Sequence, residues 1–284
     1  MHDGPNCTSR RGFFKTAFAS AVAATLGVKT EAAAFSQKEL QVWSCGGLAE
    51  AMMPANALFE QKTGVKIFYT GAYAVSLGKS LLGSGQTEVF AGRVLDLAKK
   101  LREAGKMEYF KPLCFTSYVM VTPKGNPARI GSIQDMAKPG IRVVLAPEAS
   151  NPGGPAVQAL LKEAGIDVPV GKNTVVRGSC VQRTTKDLVA GGGDVSIVEL
   201  RITRMKEFAD KLDVIPIPEQ FFPPPPLTFT VGVMKHAKDR ALADAYVDFI
   251  MSEEGQVFFE RQGFIPAISE KGRQLIEKLG VKDA

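Results

Sequence analysis

From residue 39 onward, short apolar stretches alternate with longer amphipathic ones, and this rhythm sets the class of fold. The stretches L-Q-V-W-S, V-K-I-F-Y-T and T-E-V-F-A are predicted strands, because β-branched and aromatic residues are concentrated in them. Residues 48–62, 76–82 and 93–104 have the apolar spacing of amphipathic helices. This βαβαβ pattern predicts an α/β fold in which helices cover a mostly parallel sheet.

A second α/β unit follows the first. Its predicted strands are I-R-V-V-L-A, T-V-V-R-G-S-C and D-V-S-I-V-E-L, and two long apolar runs at 113–127 and 223–235 lead into it and out of it. The last 50 or so residues are predicted to be mainly helical, by the same spacing rule. The chain should therefore form two lobes, each a mostly parallel sheet flanked by helices.

We predict that lobe 1 comprises residues 35–120 plus 230–284, and that lobe 2 is an insertion of residues 121–229. In open α/β sheets, ligands bind beyond the carboxyl ends of the strands. With two lobes facing each other, those ends would line one cleft.

The N-terminus resembles a twin-arginine export signal. S-R-R-G-F-F-K at 9–15 precedes a mildly apolar stretch, and E-A-A-A at 31–34 offers small residues for cleavage. The apolar stretch has about 13 residues, which is too short to span a membrane. We therefore expect residues 1–34 to be a signal peptide, the twin-arginine translocase to be a partner during export, and the mature protein to be soluble in the periplasm.

Composition excludes two classes of function. The formal charge of +6 is mild and comes without a basic run, so we expect no binding of nucleic acid. Only His2 and His236 occur, and His2 lies in the signal. One mature histidine cannot supply a histidine-rich metal site, and we find no nucleophile–histidine pair, so we expect no enzyme.

The order of the segments resembles that of type II periplasmic solute-binding proteins, in particular their molybdate/tungstate-binding branch. The likeness covers most of residues 39–270, and its parts are V-W-S-C-G-G-L-A-E-A, F-E-Q-K-T-G-V-K-I, G-A-Y-A-V-S-L-G-K-S-L, T-E-V-F-A, V-M-V-T-P-K-G-N-P, N-P-G-G-P-A and S-E-E-G-Q-V-F-F-E-R-Q-G-F-I-P-A. The resemblance implies a two-lobed protein that closes by a hinge motion on a small oxyanion and delivers it to an ABC permease. It implies no cofactor and no catalysis.

The resemblance also implies a set of ligand-facing positions. Helices that begin at the cleft would present free N–H groups to an anion, and glycines would let the backbone approach it. The candidate ligand-binding residues are Cys45, Gly46, Gly47, Ala72, Tyr73, Ser76, Gly153, Gly154, Cys180 and Glu199.

This chain departs from the pattern of the branch. Hydroxyl donors expected in the first two loops are replaced by Gly47 and by Ala72–Tyr73, with Ser76 displaced, and the pocket tyrosine is replaced by Glu199. A buried carboxylate beside a doubly charged oxyanion is repulsive unless it is paired, for which Arg201 or Arg177 are the candidates.

Three cysteines remain after the signal, which allows an alternative ligand. Cys45, Cys114 and Cys180 could converge on a thiophilic metal ion or metalloid, with Glu199 as a further ligand, because helix N-termini favour thiolates. They could equally be small buried apolar residues, with or without one disulfide. A third hypothesis keeps the scaffold but makes the protein a periplasmic sensor or a metal chaperone instead of a transport component.

Overall fold

Two β-sheets, each flanked by helices, form the part of the chain that the structure describes. The structure is a computed structural model, and it describes residues 35–149, 153–221 and 228–283. The predicted export signal, residues 1–34, lies outside the described residues. No helix within the described ranges is long and apolar enough to cross a membrane.

Each described strand belongs to only one of the two sheets. They are β1 (Glu39–Cys45), β2 (Lys66–Ala72), β3 (Val89–Arg93), β4 (Met107–Thr116), β5 (Tyr118–Pro123), β6 (Val143–Leu145), β7 (Thr174–Arg177), β8 (Val195–Glu199), β9 (Leu212–Pro216), β10 (Thr228–Met234) and β11 (Phe264–Pro266). The first sheet has the order β11-β4-β10-β3-β1-β2, and the second has the order β7-β6-β8-β5-β9. The predicted α/β class is confirmed.

The helices connect successive strands and close the chain. They are α1 (Ala49–Thr63), α2 (Ala74–Leu82), α3 (Leu95–Glu103), α4 (Gly153–Glu163), α5 (Asp167–Asn173), α6 (Val181–Asp187), α7 (Leu200–Thr203), α8 (Arg240–Met251), α9 (Glu253–Arg261) and α10 (Glu270–Leu279). α1 ends at Gly64, whose left-handed conformation (φ 70°) suits a residue without a side chain. α8, α9 and α10 begin at caps formed by the side chains of Asp239, Ser252 and Ser269.

Both sheets are mixed, whereas the sequence predicted mostly parallel ones. β1 is parallel to β2 and β3, and β6 is parallel to β7 and β8. β10 and β5 are antiparallel to both of their neighbours. Apolar patterning reports which residues are buried and not which way a strand runs, so it could not reveal these reversals.

The run at 113–127, predicted as one strand, is two strands in different sheets. β4 ends at Thr116 in the first sheet and β5 begins at Tyr118 in the second, so the chain crosses at Ser117. The chain returns to the first sheet between β9 and β10. The predicted lobe boundaries, and a hinge motion between the lobes, stay predictions.

The apolar core of the first sheet lies on both of its faces. On one face, Phe59 of α1 meets Tyr246 of α8 edge to face, with ring centroids 5.2 Å apart. On the other face, Leu81 of α2 and Leu101 of α3 are buried with Phe90 of β3. Burying each such side chain contributes roughly 1.5–3 kcal/mol, so these layers hold the strands that position the site.

Candidate functional site

Three charged side chains meet where the two sheets face each other. Arg93 is the last residue of β3 in the first sheet, Glu199 is the last residue of β8 in the second, and Arg201 lies in α7 directly after it. Arg93 Nη2 donates a hydrogen bond to Glu199 Oε1, and Arg201 Nε donates one to Glu199 Oε2. The Arg93–Glu199 ion pair therefore joins one sheet to the other. We call these three residues the charged cluster.

The charged cluster is removed from solvent. Glu199 is 4% exposed and Arg93 is 7% exposed, and Arg201 is half-buried. Burial alone would raise the pKa of Glu199, but the two guanidinium groups outweigh it and hold this pKa below its usual value. Burial pushes the pKa of Arg93 down, and the Glu199 carboxylate more than offsets this effect, so the pKa of Arg93 is raised. One carboxylate between two guanidinium groups, which are positively charged in proteins, gives the cluster a formal net charge of +1.

Two buried polar atoms beside Glu199 have no hydrogen-bond partner in the described part of the chain. They are Arg93 Nε and Tyr118 Oη. Tyr118 stands directly opposite Glu199 in the antiparallel pairing of β5 with β8. Its hydroxyl lies near the Arg93 guanidinium without the geometry of a hydrogen bond, and burial raises its pKa, so it stays protonated. Buried polar groups normally have partners, so two donors at the charged cluster are left unused by the described residues.

Cys45 lies at the edge of the charged cluster as a neutral thiol. It is the last residue of β1 and is buried. Burial raises its pKa, although the charge of Arg93 lowers it in part. Cys114 is buried in β4, and burial raises its pKa well above the usual value. The alternative of thiolates favoured by helix N-termini is therefore not supported at Cys45, because loss of solvent outweighs the nearby positive charges.

The three cysteines differ in their surroundings in the described part of the chain. Cys180 is exposed, whereas Cys45 and Cys114 are buried, and all three thiols are free. Among the described residues, no group of three histidine, cysteine or acidic side chains could hold a metal ion. The hypothesis of a cysteine site for a thiophilic ion, with Glu199 as a further ligand, gains no support from these residues, because Glu199 is held by two arginines; it stays a prediction.

Two of the predicted glycines lie against the arginines of the charged cluster. A Cβ added to Gly47, in the turn after β1, would lie 3.5 Å from Arg201 Cζ. A Cβ added to Gly153, at the start of α4, would lie 4.0 Å from Arg93 Nη2. The backbone therefore comes close to the charged cluster both in the turn after β1 and at the start of α4.

The other predicted glycines have local roles. A Cβ on Gly154 would lie 2.3 Å from the carbonyl oxygen of Pro147, so this position excludes a side chain for reasons of packing. A Cβ on Gly46 would meet only the backbone of Ala72, which pairs with Cys45 where β1 and β2 end together.

Three further predicted residues are turned to solvent. Tyr73 is 73% exposed, and Ser76 and Cys180 are exposed as well. No interaction between them and the charged cluster is found in the described ranges. A role for them in ligand binding stays a prediction.

The sequence pointed to part of the charged cluster only. Of the two arginines proposed as partners of Glu199, Arg201 is one, whereas Arg177 is exposed at the end of β7. Arg93 and Tyr118 were missed. Arg93 ends V-F-A-G-R, a strand buried at every position, and a charge inside such a strand is the signal that could have found it.

A family model for the bacterial extracellular solute-binding proteins matches residues 40–265. The chain belongs to this family. The match spans both sheets and every residue of the charged cluster. In this solute-binding protein, the cluster lies at the carboxyl ends of β3 and β8, where open α/β sheets bind their ligands.

Relatives of this solute-binding protein resemble it at low identity. The molybdate-binding protein ModA of Mycobacterium bovis is 22% identical over 229 residues, which cover 80% of this chain and 84% of the relative. The substrate-binding domain of a protein assigned as a molybdenum ABC transporter, from Clostridium difficile, superposes with a TM-score of 0.71 at 20% identity, covering 80% of this chain and 98% of that one. The sulfate-binding protein SubI of Mycobacterium tuberculosis superposes with a TM-score of 0.62 at 16% identity, covering 86% and 92%.

Proposed function

We propose that this chain is the extracytoplasmic solute-binding component of an ABC importer and binds a small tetrahedral oxyanion, the class to which molybdate and tungstate belong. The ligand lies between the two sheets, at the charged cluster. The protein works in the periplasm after twin-arginine export and hands its ligand to a permease. It carries out no reaction on the ligand.

The observation that carries this proposal is the charged cluster with its unused donors. A buried site of net charge +1 attracts an anion, because little solvent screens it. Arg93 Nε and Tyr118 Oη can each donate a hydrogen bond that no described residue accepts. Oxyanion oxygens are acceptors of the required kind, and hydrogen bonds between a guanidinium and an anion are among the stronger ones in proteins.

The family context supports the same conclusion. Solved structures of proteins named for molybdenum and sulfate share the fold, and a relative named for molybdate matches in sequence. This chain lacks the hydroxyl donors expected of the molybdate branch and has two guanidinium groups at its cluster. Hydroxyl groups and guanidinium groups both donate hydrogen bonds to an anion, so the same fold can bind an anion with either set of donors.

Thermal unfolding with added anions tests the proposal. Molybdate, tungstate, sulfate and phosphate are added separately at matched ionic strength, with chloride as the reference. A ligand bound only by the folded state at 100 times its Kd adds about 2.7 kcal/mol of stability. For a chain of this size, each kcal/mol raises Tm by roughly 2–4 °C, so the expected shift is several degrees.

A matched pair of variants assigns the site. Arg201→Gln removes a guanidinium from the charged cluster and should abolish most of the shift. Arg142→Gln removes one from a partly exposed pair with Asp194 on the second sheet and should leave the shift intact. The proposal fails when no anion raises Tm beyond chloride, or when Arg201→Gln retains the full shift.

A further inference from the structure

Glu199 adds something to the charged cluster that an anion site does not need. A carboxylate next to an incoming anion repels it, and Glu199 is held ionised by its two arginines. Replacing it with a neutral residue would make a stronger anion site. Its presence therefore points to a specific property of the ligand.

The carboxylate has unused acceptor positions. An ionised carboxylate can accept about four hydrogen bonds. Arg93 and Arg201 use one position on each oxygen of Glu199. A group that approaches the free positions must bring a hydrogen, since an ionised oxygen there would face another ionised oxygen.

We propose that Glu199 selects tetrahedral oxyanions that keep a proton at neutral pH, such as hydrogen phosphate and hydrogen arsenate, over sulfate and molybdate, which carry none. The hydroxyl of the bound anion donates to Glu199, and its ionised oxygens accept from Arg93 Nε and Tyr118 Oη. This inference rests on the proposed function and narrows it to a subset of the same ligand class.

The selection comes from the proton and not from the charge. Hydrogen phosphate and sulfate carry the same charge of −2 and have similar shapes. Both would be attracted equally by the net charge of the cluster. Only the protonated anion satisfies Glu199, whereas sulfate leaves a buried charged acceptor against its own oxygens. A site built to bond a ligand's hydroxyl discriminates strongly against an analogue without it.

Titration calorimetry of the wild-type protein at pH 7 tests the inference. Phosphate, arsenate, sulfate and molybdate are the four ligands. We expect phosphate and arsenate to bind at least about tenfold more tightly than sulfate and molybdate, the discrimination that one unmet buried hydrogen bond provides. Equal or tighter binding of sulfate or molybdate overturns the inference and leaves the proposed function standing. Absence of binding by all four overturns both.

A variant assigns the selectivity to Glu199. Glu199→Gln offers an amide that can donate to an ionised oxygen, so sulfate and molybdate should gain about tenfold or more relative to phosphate. Glu219→Gln changes an exposed glutamate paired with Lys271 and should keep the wild-type ratio. An unchanged ratio in Glu199→Gln overturns the inference, and the wild-type titration decides the matter should this variant fail to fold.

Discussion

Glu199→Gln should destabilise the ligand-free protein far more than an ordinary loss of a surface charge. The substitution keeps the shape of the side chain and removes its charge from between two guanidinium groups. Glu199 and Arg93 are each more than nine-tenths buried, so little water can replace the lost charge. Breaking a buried pair by removing one partner costs about 3–5 kcal/mol, because the other charge is left uncompensated. Here two positive charges lose their shared partner, so we expect the upper half of that range.

Urea unfolding at pH 7 without ligand measures the effect. Glu219→Gln is the matched control, since Glu219 is 65% exposed and its partner Lys271 is 47% exposed. Exposed pairs contribute about 0–1 kcal/mol. The reasoning is refuted when the two variants lose the same free energy of unfolding, because Glu199 would then contribute no more than a surface charge.

Three further predictions concern the same region. The difference in free energy of unfolding between wild type and Glu199→Gln should close as the pH falls below about 4. The pKa of Glu199 is lowered by folding, so its stabilising contribution is complete above the unfolded pKa near 4.3 and is lost as the pH falls through the folded pKa. A difference that widens in acid contradicts this assignment. Tyr118→Phe should weaken oxyanion binding about tenfold while changing the free energy of unfolding by under about 1 kcal/mol, because its hydroxyl has no partner among the described residues. Calorimetry and urea unfolding measure the two effects. A purely structural hydroxyl would instead give a loss of stability with unchanged binding. In the chain without residues 1–34, a thiol reagent should modify Cys180 rapidly and Cys45 and Cys114 only on unfolding, since the last two are buried and burial raises their pKa values; rapid reaction of all three would contradict the burial.

Local patterning predicted the elements of the fold but not their assembly. Apolar spacing located β1, β2 and β3 with their helices, because the spacing of apolar residues within a short stretch indicates which face of an element is buried. It merged β4 and β5 into one strand, because the apolar run continues through Ser117 while the chain changes sheet.

The charged cluster shows the same limit at the level of single residues. Glu199 was identified as a buried carboxylate in need of a partner, and Arg201 lies only two positions away. Arg93 is 106 positions from Glu199, and no local pattern links the two. The sequence left open whether Cys45 is a thiolate or a buried neutral thiol, because its burial depends on packing across the sheet and not on its neighbours in sequence.

A crystal structure with a bound oxyanion tests the central claim most directly. Crystals are grown with arsenate or with molybdate, whichever binds more tightly, so that anomalous scattering locates the anion. We predict one anion between the sheets, within hydrogen-bond distance of Arg93 Nε and Tyr118 Oη. An anion bound elsewhere, such as beside the exposed Arg177, with the charged cluster unchanged, would contradict the account.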